Sequence, residues 1–216
     1  IQNNVYNDML LDVYMDLQQL EYQKARYIQA IEKFIELYGD QEITIYSTPG
    51  RSEVCGNHTD HQHSEVLAAA INLDIIAVVA KDDAKIKILS DDYDIAAIDI
   101  NDMTLRENEK ESSAGLIRGI LARFQQLNYQ TGGFVGYMTS DVLEGSGLSS
   151  SAAFEVMIGT VLSGMYNDMK VDPVTIAKIG QYSENVYFGK PCGLMDQCAC
   201  SVGSLIHIDF KDDDNP

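Results

Sequence analysis

Apolar residues recur with a helical period near the start of the chain. In residues 8–38 they fall three or four positions apart, from Leu17 and Leu20 to Phe34, as on one face of an amphipathic helix. Gly39 follows this stretch, and glycine commonly ends a helix. The pattern therefore predicts one or two amphipathic helices.

The pattern then changes to the alternation and the short apolar runs of β-strands. Residues 42–50 alternate and reach Pro49-Gly50, which predicts a strand that ends in a loop. Residues 65–83 are apolar enough for one or two buried strands, and residues 84–100 alternate like a half-exposed hairpin.

Helical and strand patterns follow one another through the rest of the chain. The helices predicted from a 3.6-residue period cover 113–129, 151–167 and 172–189, and the strands cover 132–143 and the start of 203–216. Asp172 and Pro173 suit the N-cap and the first turn of the last helix. Because strands precede helices instead of alternating strictly with them, the predicted fold class is α+β.

The charge of the chain limits its partners. Its formal net charge is −18, from 33 acidic and 15 basic residues. Such a surface repels nucleic acid and anionic lipid, because binding to either depends on Lys and Arg. We also find neither an apolar run of the ~20 residues that a membrane helix needs nor a secretory signal. No nucleic acid and no membrane are therefore expected as partners, whereas the sequence does not indicate an oligomeric state.

The four cysteines are too few for a disulfide scaffold and favour a reducing, cytoplasmic location. Cys192, Cys198 and Cys200 lie close together in sequence, which raises the question of a zinc site. Their C-x5-C-x-C spacing matches no familiar zinc pattern, and cysteine is often a small buried apolar residue. The buried interpretation is favoured.

The stretch "EGSGLSSSAAF", residues 144–154, lies between a predicted strand and a predicted helix. Gly145 and Gly147 permit positive φ angles, and a glycine-rich turn before a helix directs N–H groups at an anion. No Lys follows, and the glycine spacing also differs from G-x-G-x-x-G. Serine is a common N-cap, so a phosphate loop and a plain helix cap fit this pattern equally well.

A second polar stretch, residues 48–64, contains Arg51, His58, Asp60, His61 and His63 between two predicted strands. His and Asp are zinc ligands, but the same side chains suit a loop that hydrogen-bonds a polyol. The sequence pattern alone leaves both interpretations open.

Two acidic residues near the end of the chain are candidates for chemistry. Asp196 lies among small and apolar residues, where an acid is rare unless it is paired or functional. Glu184 lies on the preceding predicted helix. Without a chemical role, Asp196 would be a buried carboxylate with satisfied hydrogen bonds. Without one, Glu184 would be an exposed carboxylate on the surface.

Together these stretches resemble the galactokinases of the GHMP small-molecule kinase superfamily. "PGRSEVCGNHTDH" is similar to their signature P-G-R-x-N-x-x-G-E-H-T-D-Y, and "GSGLSSSAAFEV" to their phosphate loop G-x-G-L-S-S-S-A-A-x-E. "SENVYFGKPCGLMDQCACSVG" resembles their segment A-E-x-x-F-x-G-x-x-C-G-I-M-D-Q. The resemblance rests on three motifs in the family's order over residues 48–203.

The resemblance implies a fold and an activity. The fold would be the GHMP kinase N-terminal domain, which is ribosomal protein S5 domain 2-like, with a β-sheet backed by helices over residues 42–216. Residues 1–41 would be a helical extension, and the family's C-terminal domain would lie outside this chain. The activity would be ATP-dependent phosphorylation of the anomeric C1 hydroxyl of galactose or a closely related sugar, with Mg²⁺.

The resemblance also implies roles for individual residues. Asp196 would accept the proton of the anomeric hydroxyl, and Arg51 would lie beside Asp196 and the γ-phosphate. The ATP phosphates would be held by Gly145, Ser146, Gly147, Leu148, Ser149, Ser150 and Ser151. Mg²⁺ would be bound by Glu184 and one or more of Ser149, Ser150 and Ser151. The sugar would be contacted by Asn57, His58, Asp60, Gly193 and Asp196.

Some positions depart from the family pattern. Asn57 replaces a Glu that contacts the sugar near C6, and "HTDHQ", with His61, resembles the galacturonate kinases. Loss of that charge removes a repulsion against a C6 carboxylate, so a hexuronate is an alternative substrate.

A non-catalytic sugar sensor is a further alternative, but the intact loop, Arg51 and Asp196 favour a kinase. The HTD and GLMDQ segments argue against a mevalonate or homoserine kinase, and a polyol-binding loop now becomes favoured over zinc at residues 48–64.

Overall fold

A computed structural model describes residues 1, 3–56, 64–90 and 94–212, which form six α-helices and one six-stranded sheet. The helices are α1 (Asn7–Tyr14), α2 (Leu20–Tyr38), α3 (Ser113–Gln126), α4 (Ser150–Tyr166), α5 (Pro173–Ser183) and α6 (Met195–Val202). The strands are β1 (Thr44–Cys55), β2 (Glu65–Asp82), β3 (Lys85–Ser90), β4 (Asp94–Asp99), β5 (Gly133–Ser140) and β6 (Leu205–Asp209). No helix among these residues is both long enough and apolar enough to span a membrane.

The sheet is mixed, with strand order β1-β2-β5-β3-β4. All neighbouring pairs are antiparallel except β3 and β5. The 18-residue strand β2 pairs with β1 along most of its length, with β6 near its start and with β5 near its end. Because β1 occupies one edge of β2, β6 and β5 share the other edge.

Strand β2 is buried on both faces, which explains its long apolar run. Successive side chains of a strand point to opposite faces. Ile75, Ala77 and Val79 accordingly pack in the large core cluster with α3, α4 and α5. Ile76 and Val78 pack in a second cluster with α1 and α2. The predicted α+β fold is confirmed, and helices cover both faces of the sheet.

The predicted amphipathic stretch at the start of the chain forms two helices, and Gly39 ends the second of them with φ +80°. Leu10, Tyr14, Tyr27 and Phe34 of these helices are buried against the sheet. Packing on a shared sheet does not decide a domain boundary. The division into residues 1–41 and 42–216 therefore stays a prediction.

Two sequence expectations about local structure are wrong. Strand β1 does not end at Pro49-Gly50 but runs on to Cys55, with a shift in its pairing to β2 between Pro49 and Arg51. Arg51 therefore lies on a strand rather than in a loop. Helix α6, which contains Asp196, was not predicted, because its eight residues are too short a segment to show a clear period.

The other predicted elements are confirmed within a few residues at their ends. Residues 84–100 contain the antiparallel hairpin of β3 and β4. Asp172 is the N-cap of α5, since its side chain accepts a hydrogen bond from the Thr175 backbone N–H at 2.9 Å. The helix predicted over 172–189 continues beyond α5 as a π-helical turn, Glu184–Phe188.

We expect Phe34→Ala to lower the free energy of unfolding by about 3–5 kcal/mol, because it empties a fully buried site between α2 and the sheet. Leu37→Ala, on the exposed side of the same helix, should change it by no more than about 0.5 kcal/mol. Urea unfolding measures both. Equal losses would contradict the packing of α2 on the sheet.

Candidate active site

The glycine-serine stretch forms the connection between β5 and α4. Gly145 and Gly147 adopt φ values of +70° and +78°, a region that favours glycine. A cavity of about 240 Å³ opens beside this loop. Its lining residues are Arg51, Leu143, Gly145, Gly147, Ser149, Ser150, Ser151, Glu184, Lys190, Cys192 and Asp196.

Ser149 shows that the serines do more than cap the helix. It occupies the N-cap position of α4, yet its side chain makes no capping hydrogen bond. Its hydroxyl instead donates to Oδ2 of Asp196. Ser149 also has φ +60° and ψ +57°, a left-handed conformation that costs energy for a residue with a Cβ atom. The surrounding contacts therefore hold Ser149 in a strained conformation that directs its hydroxyl at Asp196.

Arg51 connects the loop with Asp196. Its Nε lies 2.6 Å from Oδ1 of Asp196, and its Nη2 lies 2.7 Å from Oδ2, so the pair is bidentate. Its Nη1 donates to the Gly147 carbonyl oxygen at 2.7 Å, and its backbone N–H donates to the Leu148 carbonyl oxygen at 3.1 Å. The buried guanidinium thus holds both the carboxylate and the glycine-serine loop in place.

Asp196 lies in the first turn of α6, where the partial positive charge of a helix N-terminus favours a carboxylate. Its side chain is partly exposed toward the cavity, although both oxygens accept hydrogen bonds. A carboxylate that is fixed in place and still reachable is suited to accept a proton from a bound hydroxyl group.

Glu184 opens the π-helical turn after α5, a type of turn that is frequent at functional sites. Its backbone carbonyl oxygen accepts hydrogen bonds from the N–H groups of Gly189 and Lys190. Its side chain is 4% exposed and lies at the cavity. Glu184 therefore lines the same cavity as the glycine-serine loop.

A second carboxyl group lies directly behind Glu184. The side-chain amide of Gln197 donates to Oε2 of Glu184 at 2.9 Å and to Oε2 of Glu155 at 3.0 Å. Glu155 is 1% exposed. Burial, together with the negative charge of Glu184, raises the pKa of Glu155 well above its ordinary value. The raised pKa favours the neutral form of Glu155, and Gln197 joins its carboxyl group to that of Glu184.

The oxygen donors at the cavity fit a magnesium ion that is shared with a phosphate. Among the described residues, no three His, Cys, Asp or Glu side chains are grouped so that they would hold a metal ion by themselves. Mg²⁺ typically takes one or two carboxylates and completes its coordination with water and substrate phosphates. Glu184 with the hydroxyls of Ser150 and Ser151 matches that requirement.

The structure brings most of the predicted site residues together, but not all of them. Ser146 and Leu148 do not line the cavity; the Ser146 hydroxyl donates to the Leu143 carbonyl oxygen at 2.5 Å. Gly193 is half-buried just before α6. The predicted sugar-contacting residues Asn57, His58 and Asp60, together with His61 and His63, lie outside the described residues.

Several cavity residues were missed by sequence reasoning. Lys190 belongs to the third motif but was not singled out, and Cys192 was considered only as a zinc candidate. Gln197, which contacts Glu184 without lining the cavity, was passed over beside Asp196. Burial and the charge of Glu184 raise the pKa of the Cys192 thiol. Cys198 and Cys200 are buried in apolar clusters on either side of α6. A buried Gln with two carboxyl partners has no signature in sequence, because its partners are distant in the chain.

Two family models match the chain. One, described as the galactokinase galactose-binding signature, matches residues 32–81, and the other, described as the GHMP kinases N terminal domain, matches residues 115–204. A galactokinase from Lactobacillus helveticus is 34% identical over 191 residues, which are 85% of this chain and 48% of that protein.

Solved structures agree with these matches. The crystal structure of Lactococcus lactis galactokinase complexed with galactose has a TM-score of 0.77 and 27% identity, covering 84% of this chain and 48% of that one. Mevalonate kinase from Methanococcus jannaschii shares the fold, with a TM-score of 0.65, 20% identity and coverage of 79% and 55%. The chain spans about half the length of these relatives.

The fold, the glycine-serine loop before α4 and the second family model define the N-terminal domain of a GHMP kinase. Within this class, the chain is similar to the galactokinases, on the evidence of the galactose-binding signature and the galactokinase relatives. The GHMP kinase fold and the resemblance to the galactokinases, both predicted from the sequence, are confirmed.

We expect Ser149→Gly to be more stable than Ser149→Ala by roughly 1 kcal/mol, because both lose the hydroxyl and only glycine relieves the left-handed strain. Urea unfolding measures the difference. Ser150 begins the regular helix. There, Ser150→Ala should be more stable than Ser150→Gly by about 0.5–1 kcal/mol. The same order at both positions would contradict the strained conformation of Ser149.

A second prediction concerns Glu155→Gln, which replaces a buried carboxyl group with a neutral group of the same shape. Because the folded state raises the pKa of Glu155, it retains a proton that the unfolded chain releases above its ordinary pKa of 4.5. Wild-type stability should therefore fall relative to the variant as the pH rises above this ordinary value. Urea unfolding without Mg²⁺ tests this, with the surface substitution Glu42→Gln correcting for net charge. A difference that does not change with pH would contradict the raised pKa.

Proposed function

We propose that the protein containing this chain is an ATP-dependent sugar kinase that phosphorylates the anomeric C1 hydroxyl of galactose or a closely related sugar. One observation carries the proposal: Arg51, Asp196, Ser149 and the Gly147 carbonyl group meet where the phosphate loop borders the cavity. Phosphoryl transfer depends mainly on positioning and on charge neutralisation, and this cluster supplies both.

Asp196 is the proposed base. Its carboxylate accepts the proton of the C1 hydroxyl while the C1 oxygen forms a bond to the γ-phosphorus of ATP. The bond from the γ-phosphorus to the β,γ-bridging oxygen breaks, and ADP leaves. Arg51 orients both carboxylate oxygens, and an adjacent guanidinium favours the ionised carboxylate.

The loop and α4 are proposed to hold the ATP phosphates. The positive φ angles of Gly145 and Gly147 let the backbone approach an anion closely, and the N-terminus of the 17-residue helix α4 adds partial positive charge. Lys190 and Arg51 are the cations among the described residues that line the cavity. These groups offset the strongly negative charge of the chain at this one place.

Glu184 would hold Mg²⁺ together with Ser150 or Ser151, since the Ser149 hydroxyl is donated to Asp196. When bound, the ion would neutralise charge on the phosphate oxygens. Gln197 would keep the Glu184 carboxylate turned to the cavity.

The sugar is proposed to be galactose or a hexuronate. Support for the hexuronate comes from the sequence alone: Asn57 stands where the family has Glu, which removes a negative charge near C6 of the sugar. A C6 carboxylate would then meet no repulsion from that position.

We expect the full-length protein that contains this chain to phosphorylate a sugar with ATP. Asp196→Asn should lower kcat by about 10²–10⁴-fold, because the base is lost while the shape is kept. Asp172→Asn, at the N-cap of α5, is the matched control and should keep kcat. Assays on a panel that includes galactose and galacturonate measure kcat and KM.

Each outcome of this assay has a distinct meaning. An undiminished kcat for Asp196→Asn would show that Asp196 is not the base. A large preference in kcat/KM for galactose over galacturonate would end the hexuronate alternative. Absence of ATP-dependent phosphorylation across the panel would contradict the sugar kinase itself.

A further inference from the structure

A buried cluster of charged side chains lies where α2 meets the sheet, next to the start of the glycine-serine loop. Its centre is the ion pair between Arg26 of α2 and Asp74 of β2, which are 6% and 2% exposed. Asp74 lies on the face of β2 that also carries Ile76 and Val78, and α1 and α2 cover this face. The cluster therefore belongs to the layer formed by the N-terminal helices.

Asp74 is held by several donors at once. Nη1 of Arg26 donates to its Oδ1, and Nη2 donates to its backbone carbonyl oxygen at 2.8 Å. The hydroxyls of Tyr14 and Ser47 donate to Oδ2 at 2.7 Å and 2.5 Å. A buried charge with this many partners is well fixed, because loss of any one of them leaves desolvated polar atoms.

The same guanidinium also serves a second carboxylate, that of Asp141. Nη1 of Arg26 lies 3.1 Å from Oδ2 of Asp141, and the Tyr22 hydroxyl donates to Oδ1 at 2.9 Å. The Asp141 backbone N–H donates to the Asp74 carbonyl oxygen at 2.9 Å. Asp141 directly follows β5, so Arg26 holds the point where the chain leaves the sheet toward the phosphate loop.

From Asp141 the contacts continue to the active site. The next residue, Val142, is buried against Gly50 of β1; a Cβ at Gly50 would lie 3.1 Å from Cγ1 of Val142 and 2.9 Å from the Leu148 carbonyl oxygen. Both arms of the loop thus contact β1 immediately before Arg51. Closely packed interiors transmit displacements, so a shift at Asp141 would reach Gly50 and the loop.

We propose that Arg26 of α2 is a positioning residue for the phosphate loop. The inference rests on the proposed function, in which this loop binds ATP. Without Arg26, two neighbouring carboxylates would lack the cation that they share. Asp141, whose side chain is 18% exposed, is closer to solvent than Asp74 and would move outward, taking the start of the loop with it.

The test measures the dissociation constant of MgATP by calorimetry on the full-length protein that contains this chain. Arg26→Gln should weaken binding about tenfold, within the usual range for coupling at a distance. Adding Asp141→Asn should restore binding to within about threefold of wild type, because the carboxylate that would move outward, and its repulsion from Asp74, are removed. Phe34→Leu, in the same helix and the same layer, is the matched control for lost stability and should leave the dissociation constant unchanged.

Tyr22→Phe provides a variant that leaves the buried ion pair intact. It removes an exposed hydroxyl that holds Asp141, and it should weaken MgATP binding about twofold to fivefold. This variant keeps the inference testable if Arg26→Gln fails to fold.

The following outcomes would overturn the inference. Wild-type affinity in Arg26→Gln, or in Tyr22→Phe if the first variant does not fold, would show that the cluster does not position the loop. Equal weakening by Phe34→Leu, or no recovery in the double variant, would assign the effect to lost stability. A wild-type protein that does not bind MgATP would contradict the proposed function, and this inference with it.

Discussion

The bidentate pair between Arg51 and Asp196 is the interaction on which the site depends. It joins β1 to α6 across 145 positions of sequence, and the same guanidinium holds the Gly147 carbonyl oxygen of the loop. Loss of Asp196 would cost the buried Arg51 guanidinium its bidentate partner, so the geometry of Asp196, the loop and β1 depends on both residues. In a chain of net charge −18, the Arg51 guanidinium also places a positive charge beside the cavity.

The rest of the structure supports this pair from both faces of the sheet. On one face, α4, α5 and α6 bring Ser149, Glu184 and Asp196 to a single cavity. On the other face, α1 and α2 cover β2 and approach the start of the loop. Strand β2 packs against the helices on both faces because its side chains point alternately to each face, and apolar side chains lie on both. Strain at Ser149 persists because contacts from several elements hold it.

Sequence patterns predicted most helices and strands, because their periodicity and caps, such as Asp172, are local. They failed at β1, where pairing with β2 carries the strand past Pro49 and Gly50 despite turn-forming residues. They also missed α6, whose eight residues include Cys, Ala and Ser and are stabilised by tertiary packing. The candidate site was predicted as a set of residues through the family motifs, whereas Gln197 and Lys190 were not.

The available chemical groups can be read from the amino-acid sequence: a glycine-serine loop, one arginine, two acids and the motifs that resemble a known family. How these groups are used depends on the folded arrangement. It turned the Ser149 hydroxyl to Asp196 instead of the helix end, placed Gln197 between two carboxyl groups and gave Arg26 two acidic partners. The physical reason is that burial and charge pairing depend on residues far apart in the chain, which no local pattern records.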